Sequence, residues 1–107
     1  MNEPPVVAIT EFTKMLRERL GQNLIKITVF GSVARGTATP ESDIDILLLV
    51  RAKDAQVRDI ASESALDVNL KYDVVIAPVI MTEDQYSNPL FHETLFFKNL
   101  EQEGVPL

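Results

Sequence analysis

Two acidic residues stand two positions apart at the start of an otherwise apolar stretch. Asp43 and Asp45 alternate with isoleucines in "DIDILLLV". Side chains two positions apart in a strand point to the same side of a sheet, so both carboxylates would project together. An acid inside an apolar strand is costly unless a cation accompanies it. The pattern predicts either a bound cation, or a turn that ends at Asp43 followed by a basic partner for Asp45, supplied by Arg35 or Lys71.

A glycine-serine pair precedes the two acids and is suited to binding an anion. Gly31 and Ser32 follow the strand-like segment "IKITVF", and a glycine at that point lets the backbone turn sharply and approach a ligand closely. The free amides of Ser32 and Val33 would form an anion-binding nest, to which the Ser32 hydroxyl adds a donor. A Walker-type phosphate loop is excluded because Thr37 stands where the lysine is required. A phosphate beside two carboxylates offers the oxygen ligands that Mg²⁺ prefers.

The apolar spacing along the rest of the chain predicts alternating helices and strands. In chain order these are a helix over 6–20, a strand over 25–30, a turn-rich stretch over 31–42 with room for one helical turn, a strand over 44–50, a helix over 54–70, a strand over 72–80 and a helix over 89–103. The α-β-α-β-α-β-α order indicates an α/β fold, in one domain covering residues 1–107. Because the link between the first two strands is short for a crossover helix, we expect a small mixed sheet of three or four strands flanked by helices.

Composition excludes several classes of function. The net charge is −6 and the 10 Lys and Arg residues are scattered, which argues against nucleic acid as a partner. The absence of cysteine excludes a disulfide framework, a thiolate zinc site and a cysteine nucleophile. No signal-peptide pattern or membrane-spanning apolar run occurs, so we expect a cytoplasmic protein without a membrane partner. The only histidine, His92, is interpreted as a structural or surface residue.

Gly31-Ser32, ten intervening residues and then Asp43-Ile44-Asp45 resemble the signature of the DNA polymerase β-type nucleotidyltransferase superfamily. More narrowly, the chain resembles the prokaryotic minimal nucleotidyltransferases (MNT), which accompany HEPN-domain toxins as antitoxins. The resemblance implies the nucleotidyltransferase fold and a third carboxylate from a later strand. Asp73, which opens "DVVIAPV", matches that position. Asp67 competes for it but lies in the predicted helix 54–70, where a solvated acid needs no explanation.

By this resemblance, Gly31 and Ser32 hold the outer phosphates of a nucleoside triphosphate. Asp43, Asp45 and Asp73 bind one or two Mg²⁺ ions and form the catalytic set, in which Asp73 also serves as a base. The implied reaction is Mg²⁺-dependent transfer of AMP from ATP to a hydroxyl on a partner protein, a HEPN-type toxin. The residues alone make Arg35 either a further phosphate contact or a solvated turn arginine.

Two other functions stay open. One is a non-catalytic antitoxin that binds its partner and keeps a vestigial or regulatory nucleotide site. The other is adenylylation of a small molecule, as in the related aminoglycoside-modifying enzymes. The last helix bears on the question of a protein partner, because Phe91, Phe96 and Phe97 cannot share one narrow helical stripe. An outward-facing apolar residue there would indicate a partner interface, whereas a broad apolar face would only cover the sheet.

Overall fold

The computed structural model describes the backbone of residues 3–107 and the side chains of residues 5–107. Helices and strands alternate through most of the chain, as the sequence predicts. The helices are α1 (Glu3–Leu20), α2 (Gly31–Arg35), α3 (Ala55–Tyr72), α4 (Glu83–Ser87), α5 (Pro89–His92) and α6 (Leu95–Glu103), with a 3₁₀ turn at Gly21–Asn23. The strands are β1 (Leu24–Phe30), β2 (Ile44–Val50), β3 (Ile76–Thr82) and β4 (Val105–Pro106). No helix in this described part of the chain is long and apolar enough to cross a membrane.

The four strands form one mixed sheet in the order β3-β2-β1-β4. β1 runs antiparallel to β2 and to β4, whereas β2 and β3 are parallel. The connection from β1 to β2 contains only the five-residue helix α2, too little for a crossover, while the 18-residue helix α3 links the parallel pair. The predicted mixed sheet flanked by helices is confirmed.

One face of the sheet carries the main core under α1 and α3. Alternate residues of β1 and β2 point into it, as expected for strands covered on that face. The fully or almost fully buried members include Phe12, Leu16, Ile27, Val29, Ile44, Ile46, Leu48, Val50, Ala61 and Val68. The burial of Ile44 and Ile46 fixes β2 so that Asp45, between them, lies on the opposite face.

The opposite face is covered near α4–α6 by half-exposed aromatic rings. Tyr86, Phe91 and Phe97 contact one another with ring centroids 5.5–5.6 Å apart. Phe96 packs on Phe91 and on Phe30 at 6.0 and 5.3 Å. These five residues form what we call the aromatic cluster, which reaches the end of β1 through Phe30.

The predicted single helix over 89–103 is wrong, because the chain breaks between α5 and α6. Asn88 caps α5 by accepting a hydrogen bond from the Leu90 amide at 2.8 Å, and Thr94 caps α6 by accepting one from the Phe97 amide at 3.1 Å. The break lets Phe91, on α5, meet Phe96 and Phe97, on α6. This arrangement resolves the conflict that a single helix would have created for the three rings.

The third strand also differs from the prediction of 72–80. Helix α3 continues to Tyr72, and β3 begins only at Ile76. Asn69 shapes the turn between them: its carbonyl accepts hydrogen bonds from the Asp73 and Val74 amides, and its side-chain oxygen accepts one from the Ile76 amide at 2.8 Å. Residues 73–75 therefore form a helix end and not a strand entrance.

Candidate functional site

The turn at Gly31 places backbone amides at the end of β1. Gly31 has a φ of +72°, a left-handed conformation that favours glycine. Its Cα also lies so close to Asp45 that a Cβ atom would collide with the Asp45 carboxylate. Glycine is thus required here for its backbone angle and for the space it leaves. The first amides of a helix have no intrahelical acceptor, so the amides of Ser32 and Val33 are candidates for binding an anion, and this role stays a prediction.

Helix α2 ends one turn after it begins. Gly36 adopts a φ of +77° and its amide donates to the carbonyls of Ser32 and Val33. Arg35 is the last helical residue, and its Nη1 donates to Glu103 Oε2 at 3.3 Å. The turn between β1 and β2 therefore holds a cationic side chain that contacts α6.

Strand pairing brings Asp45 to the same place. In the antiparallel register, Asp45 lies opposite Phe30, the residue that precedes Gly31. Asp45 is half-buried and Asp43 exposed. Burial and the negative charge of Asp43 raise the pKa of the Asp45 carboxyl, and the charge of Arg35 opposes this increase. The structure thus brings Asp43, Asp45, Gly31 and Arg35 together.

The described side chains supply no ion-pair partner for Asp43 or Asp45. Lys71 pairs instead with Glu11, at 3.0 Å, and Arg35 pairs with Glu103. The alternative in which Lys71 neutralises Asp45 is therefore wrong, and Arg35 acts on Asp45 only at longer range. Two neighbouring carboxylates without an ion-pair partner fit a hard, oxygen-preferring ion such as Mg²⁺, which commonly uses one or two carboxylates together with substrate phosphates.

Asp73 lies on neither of the strands that pair with β2 beside Asp45. It ends α3 with a φ of +54°, a conformation that aspartate tolerates better than most residues. It borders a cavity of about 370 Å³ together with Val33, Ser42 and Tyr72. The β3 residue in register with Asp45 is Ala77, and within residues 5–107 no three His, Cys, Asp or Glu side chains form a metal-holding group. Asp73 as a third ligand stays a prediction.

Two other residues considered in the sequence analysis, His92 and Asp67, make contacts outside the Gly31 turn. The His92 ring stacks on Phe97 with centroids 4.2 Å apart, and its Nε2 donates to the Tyr86 carbonyl at 2.8 Å. Asp67 is exposed, 4.0 Å from Arg19. Glu103 is the residue near the site that sequence reasoning missed. It lies 68 positions from Arg35, and no local pattern connects the two.

Comparison with known proteins identifies the family of the chain. The family model of the nucleotidyltransferase domain matches residues 9–99. A Methanocaldococcus jannaschii protein, provisionally named a protein adenylyltransferase, is 36% identical over 104 residues, which cover 97% of this chain and 96% of that protein.

Solved structures share the fold at lower identity. One is a toxin-antitoxin with AMP-PNP, in which the matched chain is 23% identical with a TM-score of 0.63, covering 91% of this chain and 69% of that one. Another is tri-AMPylated Shewanella oneidensis HEPN toxin in complex with MNT antitoxin, at 22% identity and a TM-score of 0.59, covering 94% of this chain and 69% of that one. At these identities the likeness establishes the fold.

Proposed function

The chain belongs to the nucleotidyltransferase domain family, and from this premise we propose that it transfers AMP from ATP to a hydroxyl group of a partner protein with the help of Mg²⁺. The resemblance drawn from Gly31-Ser32 and Asp43-Ile44-Asp45 is confirmed at the level of the family and of the fold. The protein is an enzyme of the nucleotidyltransferase class. The nucleotide, the metal and the acceptor are the parts that we propose.

The observation that carries the proposal is that Asp45, a carboxylate without an ion-pair partner, packs against the Gly31 turn with a second acid, Asp43, close enough to raise its pKa. When bound by Asp43 and Asp45, Mg²⁺ would neutralise charge on the phosphates and on the leaving pyrophosphate. The amides of Ser32 and Val33 and the Ser32 hydroxyl would donate hydrogen bonds to phosphate oxygens. The guanidinium of Arg35 would add a charged donor on the same side.

In this reaction the acceptor oxygen attacks the α-phosphorus of ATP. A new phosphorus–oxygen bond forms to the acceptor, the bond between the α-phosphorus and its bridging oxygen to the β-phosphate breaks, and pyrophosphate leaves. The proton of the acceptor hydroxyl passes to a base. Assignment of that base to Asp73 follows from the family resemblance and is tested below.

A protein acceptor is favoured by the surface next to the site. Leu90 and Leu95 are 78% and 73% exposed and flank the aromatic cluster, which reaches Gly31 through Phe30. Exposed apolar residues beside a catalytic site favour a protein partner. The Methanocaldococcus relative is named for protein adenylylation and the Shewanella complex contains an AMPylated HEPN toxin. We therefore propose a HEPN-type toxin as the partner, with this chain as its cytoplasmic antitoxin.

A second candidate, a binding module with a vestigial nucleotide site, is favoured by one observation. Ala77 occupies the β3 position beside Asp45, so the described residues place two carboxylates at the turn and no third. Such a protein would neutralise its partner by contact alone. Its complex would form equally well after Asp45→Asn.

Label transfer distinguishes these functions. The chain is incubated with Mg²⁺, a purified HEPN-domain protein encoded beside it, and ATP labelled on either the α- or the γ-phosphate. Label from the α position on the partner, lost in Asp45→Asn and retained in the exposed control Asp67→Asn, is the expected result. Label from the γ position would mean a kinase. A stable complex without label would favour the binding module. Loss of transfer in Asp73→Asn as complete as in Asp45→Asn would support Asp73 as a third ligand or base.

A further inference from the structure

We propose that Glu103 is a positioning residue that holds the Arg35 guanidinium beside the nucleotide site. This inference rests on the proposed function for the identity of the ligand, a nucleoside triphosphate. It assigns a role to the C-terminal end of the chain, residues 103–107, which sequence patterns leave without one.

The contact leaves most of Arg35 free to bind phosphate. Only Nη1 of Arg35 reaches Glu103 Oε2, at 3.3 Å, and the two side chains are 46% and 31% exposed. An arginine side chain carries five N–H donors in a planar fork. A carboxylate that takes one nitrogen of the fork fixes the direction of the side chain, while the other nitrogens can still donate to a phosphate.

The position of Arg35 in the chain agrees with this orientation. Arg35 belongs to the five-residue helix that begins at the Gly31 turn. Its side chain extends from this helix to Glu103 of α6. Without Glu103, a long and exposed side chain at the end of a five-residue helix would sample many rotamers, and a ligand would have to order it.

Glu103 itself is anchored through the residues that follow it. Gly104 lies against Thr28 of β1 so closely that a Cβ atom at Gly104 would come within 2.7 Å of Thr28 Cγ2. Strand β4 then pairs with Thr28 and Val29 of β1, and the Leu107 amide donates to the Ile27 carbonyl at 2.9 Å.

Strand β1 is also the strand that ends at the Gly31 turn. Glu103 and the Gly31 turn are therefore both attached to β1, Glu103 through Gly104 and β4, and the turn directly. In addition, α6 contacts α2 through the Arg35–Glu103 pair. The C-terminal end of the chain is therefore built to keep one carboxylate at a fixed place beside Arg35.

The test measures binding of Mg²⁺ with α,β-methylene-ATP, which cannot be cleaved at the bond that the reaction breaks, by titration calorimetry on the full chain. Glu103→Ala is expected to raise the Kd about three- to tenfold, from the ordering cost of an arginine. Glu103→Gln keeps the shape and one acceptor oxygen, and is expected to have an intermediate Kd. The matched control is Glu101→Ala on the same helix, which removes the same charge but whose partner is Tyr86; its Kd is expected to stay within twofold of wild type.

A double-mutant cycle separates positioning from a general structural effect. In the Arg35→Ala background, Glu103→Ala is expected to add no further loss of affinity, because Glu103 acts through Arg35. In the transfer assay, Glu103→Ala is expected to raise the KM for ATP and leave kcat nearly unchanged. Additive losses would overturn the inference, as would tighter binding by Glu103→Ala, which would make Glu103 a competitor of the phosphate.

The binding measurement also separates this inference from the proposed function. If the wild-type chain binds the nucleotide but transfers no label, the proposed reaction fails, and the cycle still decides the role of Glu103. If the wild-type chain binds no nucleotide, both proposals are overturned.

Discussion

Replacing Asp45 by asparagine should make the ligand-free protein more stable while removing its response to nucleotide. Asp45 is a half-buried carboxylate beside another carboxylate, and the described side chains give it no ion-pair partner. Asparagine has nearly the same shape, and its amide carries no charge. The substitution therefore removes the repulsion from Asp43 and the cost of burying a charge, and it changes packing very little.

The size of the effect follows from the spacing of the two acids. Residues two positions apart in an extended chain are separated by about 6.6 Å. Two unit charges at that distance repel by about 2.5 kcal/mol at an effective dielectric of about 20 and by about 0.6 kcal/mol in water. Asp43 is exposed and Arg35 attracts Asp45, so solvent screening and this attraction keep the value near the lower figure. We expect a gain of about 1 kcal/mol, or roughly 4 °C in Tm for a domain of this length.

The pH dependence of stability gives the sign of the Asp45→Asn effect independently. Burial and Asp43 raise the folded-state pKa of Asp45 above its ordinary value of 3.8. A carboxyl whose pKa is raised on folding destabilises the protein at pH values above the folded pKa, and this cost disappears as the pH falls through that pKa towards 3.8. The stability advantage of Asp45→Asn should thus be present at pH 7 and vanish near pH 4. Urea denaturation of both proteins across this range measures it.

Ligand binding completes the test. At a concentration 100 times the Kd, Mg²⁺ with α,β-methylene-ATP should stabilise the wild-type chain by about 2.7 kcal/mol, and it should stabilise Asp45→Asn much less. Asp67→Asn is the control, because Asp67 is exposed and 4.0 Å from its nearest cation; its stability should change by less than about 0.5 kcal/mol. The reasoning is refuted if Asp45→Asn is less stable than wild type at pH 7, or if both gain equally from the ligand.

Three further changes test other parts of the fold. Gly31→Ala should cost about 2–4 kcal/mol in urea denaturation, from its positive φ and from the collision of Cβ with Asp45; Gly21→Ala, at a φ of +54° with open space around it, should cost only about 1–2 kcal/mol. Burial raises the pKa of Tyr86 to about 12. As the pH rises, the unfolded chain therefore loses this proton before the folded chain does, and stability should fall between about pH 10 and pH 12. Tyr86→Phe should reduce this decrease, as measured by denaturation and by tyrosinate absorbance. Thr94→Ala removes the cap of α6 and should cost about 1 kcal/mol, with an unchanged value contradicting the capping role.

Local patterns were sufficient to predict the centre of the site. The apolar alternation of 44–50 locates β2, and the short link 31–43 forces β1 and β2 to be antiparallel neighbours. The position of β2 and its antiparallel pairing with β1 place Gly31 near Asp45 even before the register of the two strands is known. The spacing of apolar residues three and four positions apart also predicted the helix over 54–70. This helix differs from α3 (Ala55–Tyr72) by two residues or fewer at each end, and Asp54 is its cap.

Features set by contacts between distant residues or by side-chain capping were not predictable in the same way. "DVVIAPV" has the composition of a strand from its first residue, yet the hydrogen bonds that the Asp73 and Val74 amides donate to the Asn69 carbonyl hold these residues in a turn. The apolar run after Pro89 looks continuous, yet Thr94 caps a new helix within it. The pairing of Arg35 with Glu103 joins positions 68 residues apart, and no periodicity of the sequence reports such a contact.

The two charges beside the Gly31 turn are positioned by different parts of the chain. Asp45 is fixed by the register of β2 on one side of β1, which the buried isoleucines on either side of it enforce. Arg35 is oriented from the other side, through Glu103 and the two-residue strand β4. Because β4 contributes little to the main core, weakening its pairing should disturb Arg35 and leave Asp45 in place. A site built in this way keeps the position of its two carboxylates when the C-terminal end is displaced, and it loses only the orientation of the Arg35 guanidinium.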